Sequence, residues 1–86
     1  MVYCIGIMDS GNYAYNLCRA LERKGFVFEV VATPCQIAQT GCGYSLKFPE
    51  DYKELVLKEA QSSGYAIREI YRIIPMVTKN KYQKIL

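Results

Sequence analysis

The stretch VYCIGIMDSGNYAYNLCRALERKGFVFEVVA, residues 2–32, decides the fold, because its hydrophobic period changes twice. The segment of residues 2–7 is short and apolar, which is typical of a central strand. From residue 12 to residue 24 the apolar side chains recur at the i, i+3, i+4 and i+7 spacing of an amphipathic helix, and Gly25 is a natural C-terminal cap. Residues 26–32 are rich in Val and Phe with alternating faces, which predicts a second strand.

The rest of the chain repeats this pattern of strand, helix and strand. Pro34 ends the second strand, because proline has no N–H for a ladder hydrogen bond. Residues 44–48 predict a third strand, Pro49 opens a second helix that ends at Gly64, and residues 65–74 predict a fourth strand. The order β-α-β-β-α-β predicts an α+β, ferredoxin-like βαββαβ two-layer sandwich with a four-stranded antiparallel sheet and two helices on one face.

Length and charge bound the organisation of the protein. A chain of 86 residues fits one domain, which we place at residues 1–75, followed by a basic C-terminal tail at residues 76–86. The net charge of +3 comes from the three tail lysines, Lys79, Lys81 and Lys84, because basic and acidic side chains are equal in number in the rest of the chain. We therefore do not expect nucleic acid as a partner. Binding of nucleic acid through these lysines and Tyr82 is an alternative hypothesis, which predicts an affinity that falls steeply with salt.

The composition also limits the class of site. The apolar runs are too short to span a bilayer and no signal peptide is apparent, so we expect a cytoplasmic protein with reduced thiols and no membrane partner. The chain contains no histidine, which excludes Cys-His and Ser-His-Asp nucleophiles and zinc sites that use histidine. Cys4 and Cys18 fall in a strand and on the apolar stripe of a helix, so we assign them to core packing. We expect no metal and no cofactor.

The connection between the second and third strands, residues 33–43, is the candidate site, because it is longer than a usual hairpin loop. It carries Cys35 and Cys42, and Cys42 stands between Gly41 and Gly43. These glycines permit positive φ and leave the Cys42 sulfur without neighbouring side chains, so that a partner could reach it. Backbone N–H groups exposed in such a turn would stabilise the Cys42 thiolate. In the alternative interpretation the glycines serve only the turn and Cys42 is a small apolar residue. Cys35 is either a resolving thiol for Cys42 or a residue without redox function.

The motifs in this connection resemble a known family. Residues 34–37 and 42–48, with their Pro, Cys-Gly and Leu-x-Phe pattern, resemble the small bacterial selenium/sulfur carrier-like proteins, formerly a domain of unknown function. The similarity covers roughly the first 65 to 75 residues. In this family the cysteine of the Cys-Gly pair, here Cys42, is the presumed carrier of sulfur or selenium. Cys35 stands where the family is expected to have a basic residue, and the Cys-Pro motif of related sulfur-relay proteins is missing before the first helix.

The resemblance implies a persulfide relay rather than a turnover enzyme. Cys42 would accept sulfur or selenium from a donor protein of the cysteine desulfurase type and pass it to an acceptor protein. Pro34, Gly41 and Gly43 would form the binding loop around it, with Cys35 as the second thiol. The alternative is a noncatalytic ligand-binding or regulatory module that forms a homodimer, in which replacing Cys42 would leave function intact.

Overall fold

The computed structural model describes residues 1–38 and 43–86 of the chain. The elements lie close to those that the sequence predicts, with one addition at the C-terminal end. In chain order they are β1 (Tyr3–Met8), α1 (Gly11–Arg23), β2 (Glu29–Ala32), β3 (Tyr44–Pro49), a 3-10 turn (Glu50–Tyr52), α2 (Lys53–Ser63), β4 (Ile67–Ile74) and β5 (Lys81–Lys84).

The strands form one sheet in the order β2-β3-β1-β4-β5, and every neighbouring pair is antiparallel. The expected α+β class with two helices is therefore confirmed, and the first four strands are broadly compatible with a ferredoxin-like arrangement. The predicted number of strands, four, is wrong, because β5 adds a fifth strand beside β4. The structure thus places a strand inside residues 76–86, the segment described above as a tail.

β5 forms because the edge of β4 supplies its hydrogen-bonding partner. Its four residues, KYQK, include one large apolar side chain, Tyr82, which lies opposite Ile73. Beyond the strand, the N–H of Ile85 donates to the carbonyl of Ile70 at 2.8 Å, and Ile85 packs against the hydrophobic core. Four mostly polar residues have too little hydrophobic alternation for a strand to be predicted from the sequence. The strand is stabilised instead by its pairing with β4.

The core lies between the sheet and both helices. Cys4 and Met8 of β1 point to this side, and the buried residues of both helices join them in one cluster. Because side chains alternate along a strand, Ile5 points to the opposite face, where it is also buried, with 3% exposure. β1 is therefore covered on both faces as well as paired on both edges. The members of the cluster are Cys4, Met8, Ala14, Leu17, Leu21, Leu46, Phe48, Val56, Ala60 and Ile70.

The helix ends follow the local sequence. Ser10 caps α1, since its side chain accepts a hydrogen bond from the N–H of Tyr13. Gly25 and Gly64 follow the two helices with φ values of +93° and +81°, a conformation that glycine adopts without steric cost. Gly64 is thus the C-cap of α2, as predicted, whereas the C-cap of α1 is Lys24 and Gly25 follows it. Within residues 1–38 and 43–86, neither helix is long and apolar enough to cross a membrane.

β2 is shorter than the predicted strand at residues 26–32. Its register pairs Glu29 with Lys47, and continuing it would place Val27 opposite Pro49, which has no N–H to donate. The ladder therefore stops before Val27. Phe28 still packs on the core side, with its ring centroid 6.4 Å from that of Phe48.

Removing residues 81–86 tests the contribution of β5. The truncation deletes the ladder with β4 and the packing of Ile85, so we expect the free energy of unfolding to fall by about 2 to 4 kcal/mol. Urea denaturation measures the change. Val77→Ser, a substitution at a fully exposed position in the preceding loop, is the control and should have no effect. A truncated chain as stable as the full chain would show that β5 does not stabilise the sheet.

Candidate functional site

Hydrogen bonds join the two ends of the connection between β2 and β3 where it leaves and re-enters the sheet. The N–H of Thr33 donates to the carbonyl of Gly43 at 2.7 Å, one step beyond the last strand pair, Ala32 with Tyr44. The hydroxyl of Thr33 also bonds to that of Ser45, which is buried at 1% exposure. These two contacts fix the base of the connection to the end of the sheet.

The first half of the connection is a helical turn that begins at Pro34. The Pro34 carbonyl accepts hydrogen bonds from the N–H groups of Ile37, at 3.1 Å, and Ala38, at 3.0 Å. Ile37 is buried, with 8% exposure, so the turn is held against the body of the protein. Cys35 lies in this turn and is a free, exposed thiol. The structure therefore presents one of the two predicted site cysteines to solvent.

The second half of the predicted site is only partly described. Cys42 and Gly41, the predicted carrier thiol and one of its flanking glycines, lie outside the described residues. Gly43 is described, and a Cβ built on it would meet nothing within 4 Å. Packing against the described part of the chain thus does not require glycine at position 43.

The two remaining cysteines belong to the core, as the sequence predicts. Cys4 is fully buried, and this burial, together with the charge of Glu50, raises the pKa of its thiol to about 11. Cys18 is partly buried and donates to the carbonyl of Phe28 at 3.4 Å, and burial raises its pKa as well. Both thiols stay protonated at neutral pH, so neither is a competent nucleophile.

An ion pair beside Cys4 was not apparent from the sequence. The guanidinium of Arg72 donates to both carboxylate oxygens of Glu50, at 2.6 and 2.8 Å, and to Gln83 of β5 at 3.1 Å. These bonds hold the pKa of Glu50 below its usual range. They join the turn before α2 to β4 and β5, which indicates a structural role. No sequence signal links residues so far apart, because strand register alone brings them together.

Comparison with known proteins shows that most of the chain matches the model of one protein family. The family model described as "Putative Se/S carrier protein-like" matches residues 3–72, from the start of β1 to within β4. The comparison with curated proteins found no match, and neither did the comparison with solved structures. The loop after β4 and the whole of β5 lie beyond the matched region.

Alkylation should separate the exposed thiol from the buried ones. With iodoacetamide at mildly alkaline pH, we expect rapid modification of Cys35, much slower modification of the partly buried Cys18 and no modification of the fully buried Cys4 in the folded protein, since both of the latter thiols have raised pKa values. Peptide mass mapping before and after unfolding in urea identifies each site. Labelling of Cys4 as fast as that of Cys35 in the folded protein would contradict the burial described here.

Two glycine substitutions test what position 43 requires. Gly25→Ala should lower the free energy of unfolding by about 1 kcal/mol, because its φ is positive. Gly43→Ala should cause no loss, because a Cβ at this position would meet nothing within 4 Å, and restriction of the unfolded chain should add up to about 1 kcal/mol. Thermal or urea unfolding of both variants gives the comparison. Equal losses in the two variants would mean that the backbone itself demands glycine at position 43.

Proposed function

We propose that this chain, which belongs to the Se/S carrier-like family, carries sulfur or selenium on Cys42 between a donor and an acceptor. The donor is a protein of the cysteine desulfurase type, or its selenium counterpart, and the acceptor is a second protein with a nucleophilic group. The chain itself is a relay and does not turn over a small-molecule substrate.

One observation carries the proposal: burial removes two of the four thiols from chemistry. Cys4 is held in the core and Cys18 is packed against it, both as protonated thiols, which leaves Cys35 and Cys42 for exchange. Both remaining cysteines belong to the connection whose base is closed by the bond between Thr33 and Gly43. The whole connection lies inside the region that matches the family. This supports a function located in the connection rather than in the core.

The proposed transfer is a thiol exchange that needs no histidine. The Cys42 thiolate attacks the terminal sulfur of a donor persulfide, R–S–SH, so that a new S–S bond forms on Cys42 and the donor leaves as the thiolate R–S⁻. A nucleophile on the acceptor then attacks the terminal sulfur of Cys42–S–SH, and Cys42 leaves as a thiolate. Cys35 can attack the inner sulfur of the persulfide instead, which releases hydrosulfide and forms a disulfide with Cys42. Selenium follows the same route as a selenosulfide.

Mass spectrometry of the intact protein tests the carrier. The wild-type protein, incubated with a cysteine desulfurase and cysteine, should gain the mass of one sulfur atom, and reductant should remove it. Cys42→Ser should abolish the gain, because it removes the accepting thiol. Cys18→Ala is the matched control, since it also removes one thiol but leaves the connection unchanged, and it should accept sulfur normally.

Cys35→Ser separates acceptance of sulfur by Cys42 from its displacement by Cys35. It should still gain sulfur, and it should hold the persulfide longer, because the second thiol can no longer displace it. If the wild-type protein never accepts sulfur although Cys42 reacts with iodoacetamide, the carrier proposal is wrong. A noncatalytic binding module would then be the better interpretation.

A further inference from the structure

A cavity of about 370 Å³ lies between the turn that carries Cys35 and the C-terminal part of the chain. Gln36 and Ile37 form one side, and Met76 together with residues 78–82 forms the other. Its volume is within the range of small-molecule sites. The C-terminal side lies entirely beyond residue 72, where the match to the family ends. The cavity therefore combines the cysteine-bearing connection with a segment that is not part of the family match.

The location of the cavity follows from the strand register. Tyr82 pairs with Ile73, and Tyr71, two residues before Ile73, pairs with Ile5. Residues paired in this way share a face of the sheet, so Tyr82 lies on the face opposite the helices. The buried side chain of Ile37 forms part of the wall, which gives the cavity a fixed apolar surface.

The lining combines apolar, polar and cationic groups. Ile37 and Met76 provide apolar surface, whereas Thr78 and Asn80 can form hydrogen bonds. Lys79 and Lys81 also line the cavity. A ligand that fits these groups has an aliphatic body and carries carboxylates.

Within the part of the chain that the structure describes, these two lysines differ from the paired cations of the strands in having no ion pair. Arg72 is paired with Glu50, and Lys84 with Glu69 at 3.0 Å. Among the described residues, neither Lys79 nor Lys81 forms an ion pair. The cavity therefore carries two positive charges that the described part of the chain does not neutralise, which favours an anionic ligand.

The residue that precedes the cavity wall in the sequence carries a free thiol. Cys35 directly precedes Gln36 of the cavity wall and is exposed. We propose that the cavity binds a low-molecular-weight thiol with carboxylate groups, in its persulfide form, which transfers sulfur to Cys35. This inference rests on the proposed carrier function and adds a small-molecule route for loading the protein.

The loading step balances without any further reactant. The Cys35 thiolate attacks the terminal sulfur of the bound persulfide, R–S–SH, and Cys35–S–SH forms while the small thiol leaves as R–S⁻. Lys79 and Lys81 hold the carboxylates of the small molecule during the exchange. The sulfur then reaches Cys42 by the same exchange, in which the Cys42 thiolate attacks the terminal sulfur on Cys35.

Binding is tested first with S-methylglutathione, an unreactive thioether that carries two carboxylates. In amide NMR spectra of the full chain, we expect shifts of Gln36, Thr78 and Asn80 at millimolar ligand. The double variant Lys79→Gln/Lys81→Gln should bind about tenfold more weakly or worse, since it loses both cationic contacts. The double variant Arg23→Gln/Lys58→Gln removes two exposed charges from the helices and should bind like the wild type. No shifts in the wild type would overturn the proposal.

Transfer is tested separately with glutathione persulfide and mass spectrometry. Cys42→Ser should gain one sulfur atom on Cys35, and Lys79→Gln/Lys81→Gln should load about tenfold more slowly from this donor while loading normally from a cysteine desulfurase. Equal rates for wild type and lysine variant with glutathione persulfide would overturn the small-molecule route but leave the protein-donor route intact. Binding of S-methylglutathione without sulfur on any variant, from either donor, would refute the carrier function and the transfer step and retain only the binding site.

Discussion

The central position of β1 is the constraint on which the rest of the structure depends. It is hydrogen-bonded to β3 on one edge and to β4 on the other, and it is buried on both faces. A strand in this position must be apolar and closely packed. Gly6 lies close to the core, since a Cβ built on it would be in ordinary van der Waals contact, at 3.4 Å, with the ring of Phe48. Cys4 meets the demand for close packing as a small, protonated side chain, which is why its thiol is lost to chemistry.

The same rigid sheet supports the connection that holds the exposed thiol. β2 and β3 end next to each other, and the bonds of Thr33 to Gly43 and Ser45 close the connection where it leaves them. Binding and catalytic residues often occupy loops placed on such a scaffold, because the loop can vary without disturbing the core. The protein thus separates its cysteines by location, with two serving the core and two belonging to the connection.

The surroundings of the three C-terminal lysines are set by the folded sheet and not by their neighbours in the sequence. Composition assigns the whole positive excess to Lys79, Lys81 and Lys84. In the structure Lys84 reaches Glu69 of β4, so one of these charges is neutralised by the neighbouring strand. The other two line the cavity beside the cysteine-bearing turn. A segment whose composition is typical of a solvated tail therefore forms both the edge of the sheet and one wall of a candidate site.

The sequence by itself determined the features that depend on local patterns. Hydrophobic period predicts both helices and four strands, glycine at positions 25 and 64 predicts where the helices end, and apolar context predicts that Cys4 and Cys18 serve in packing. The carrier role of Cys42 stays a prediction, because that residue lies outside the described part of the chain. Only the tertiary structure decided the fifth strand, the pairing of Arg72 with Glu50, and the meeting of the Cys35 turn with Lys79 and Lys81. The physical reason is that these contacts join residues distant in the chain, and their energies exist only once strand register has brought the partners together.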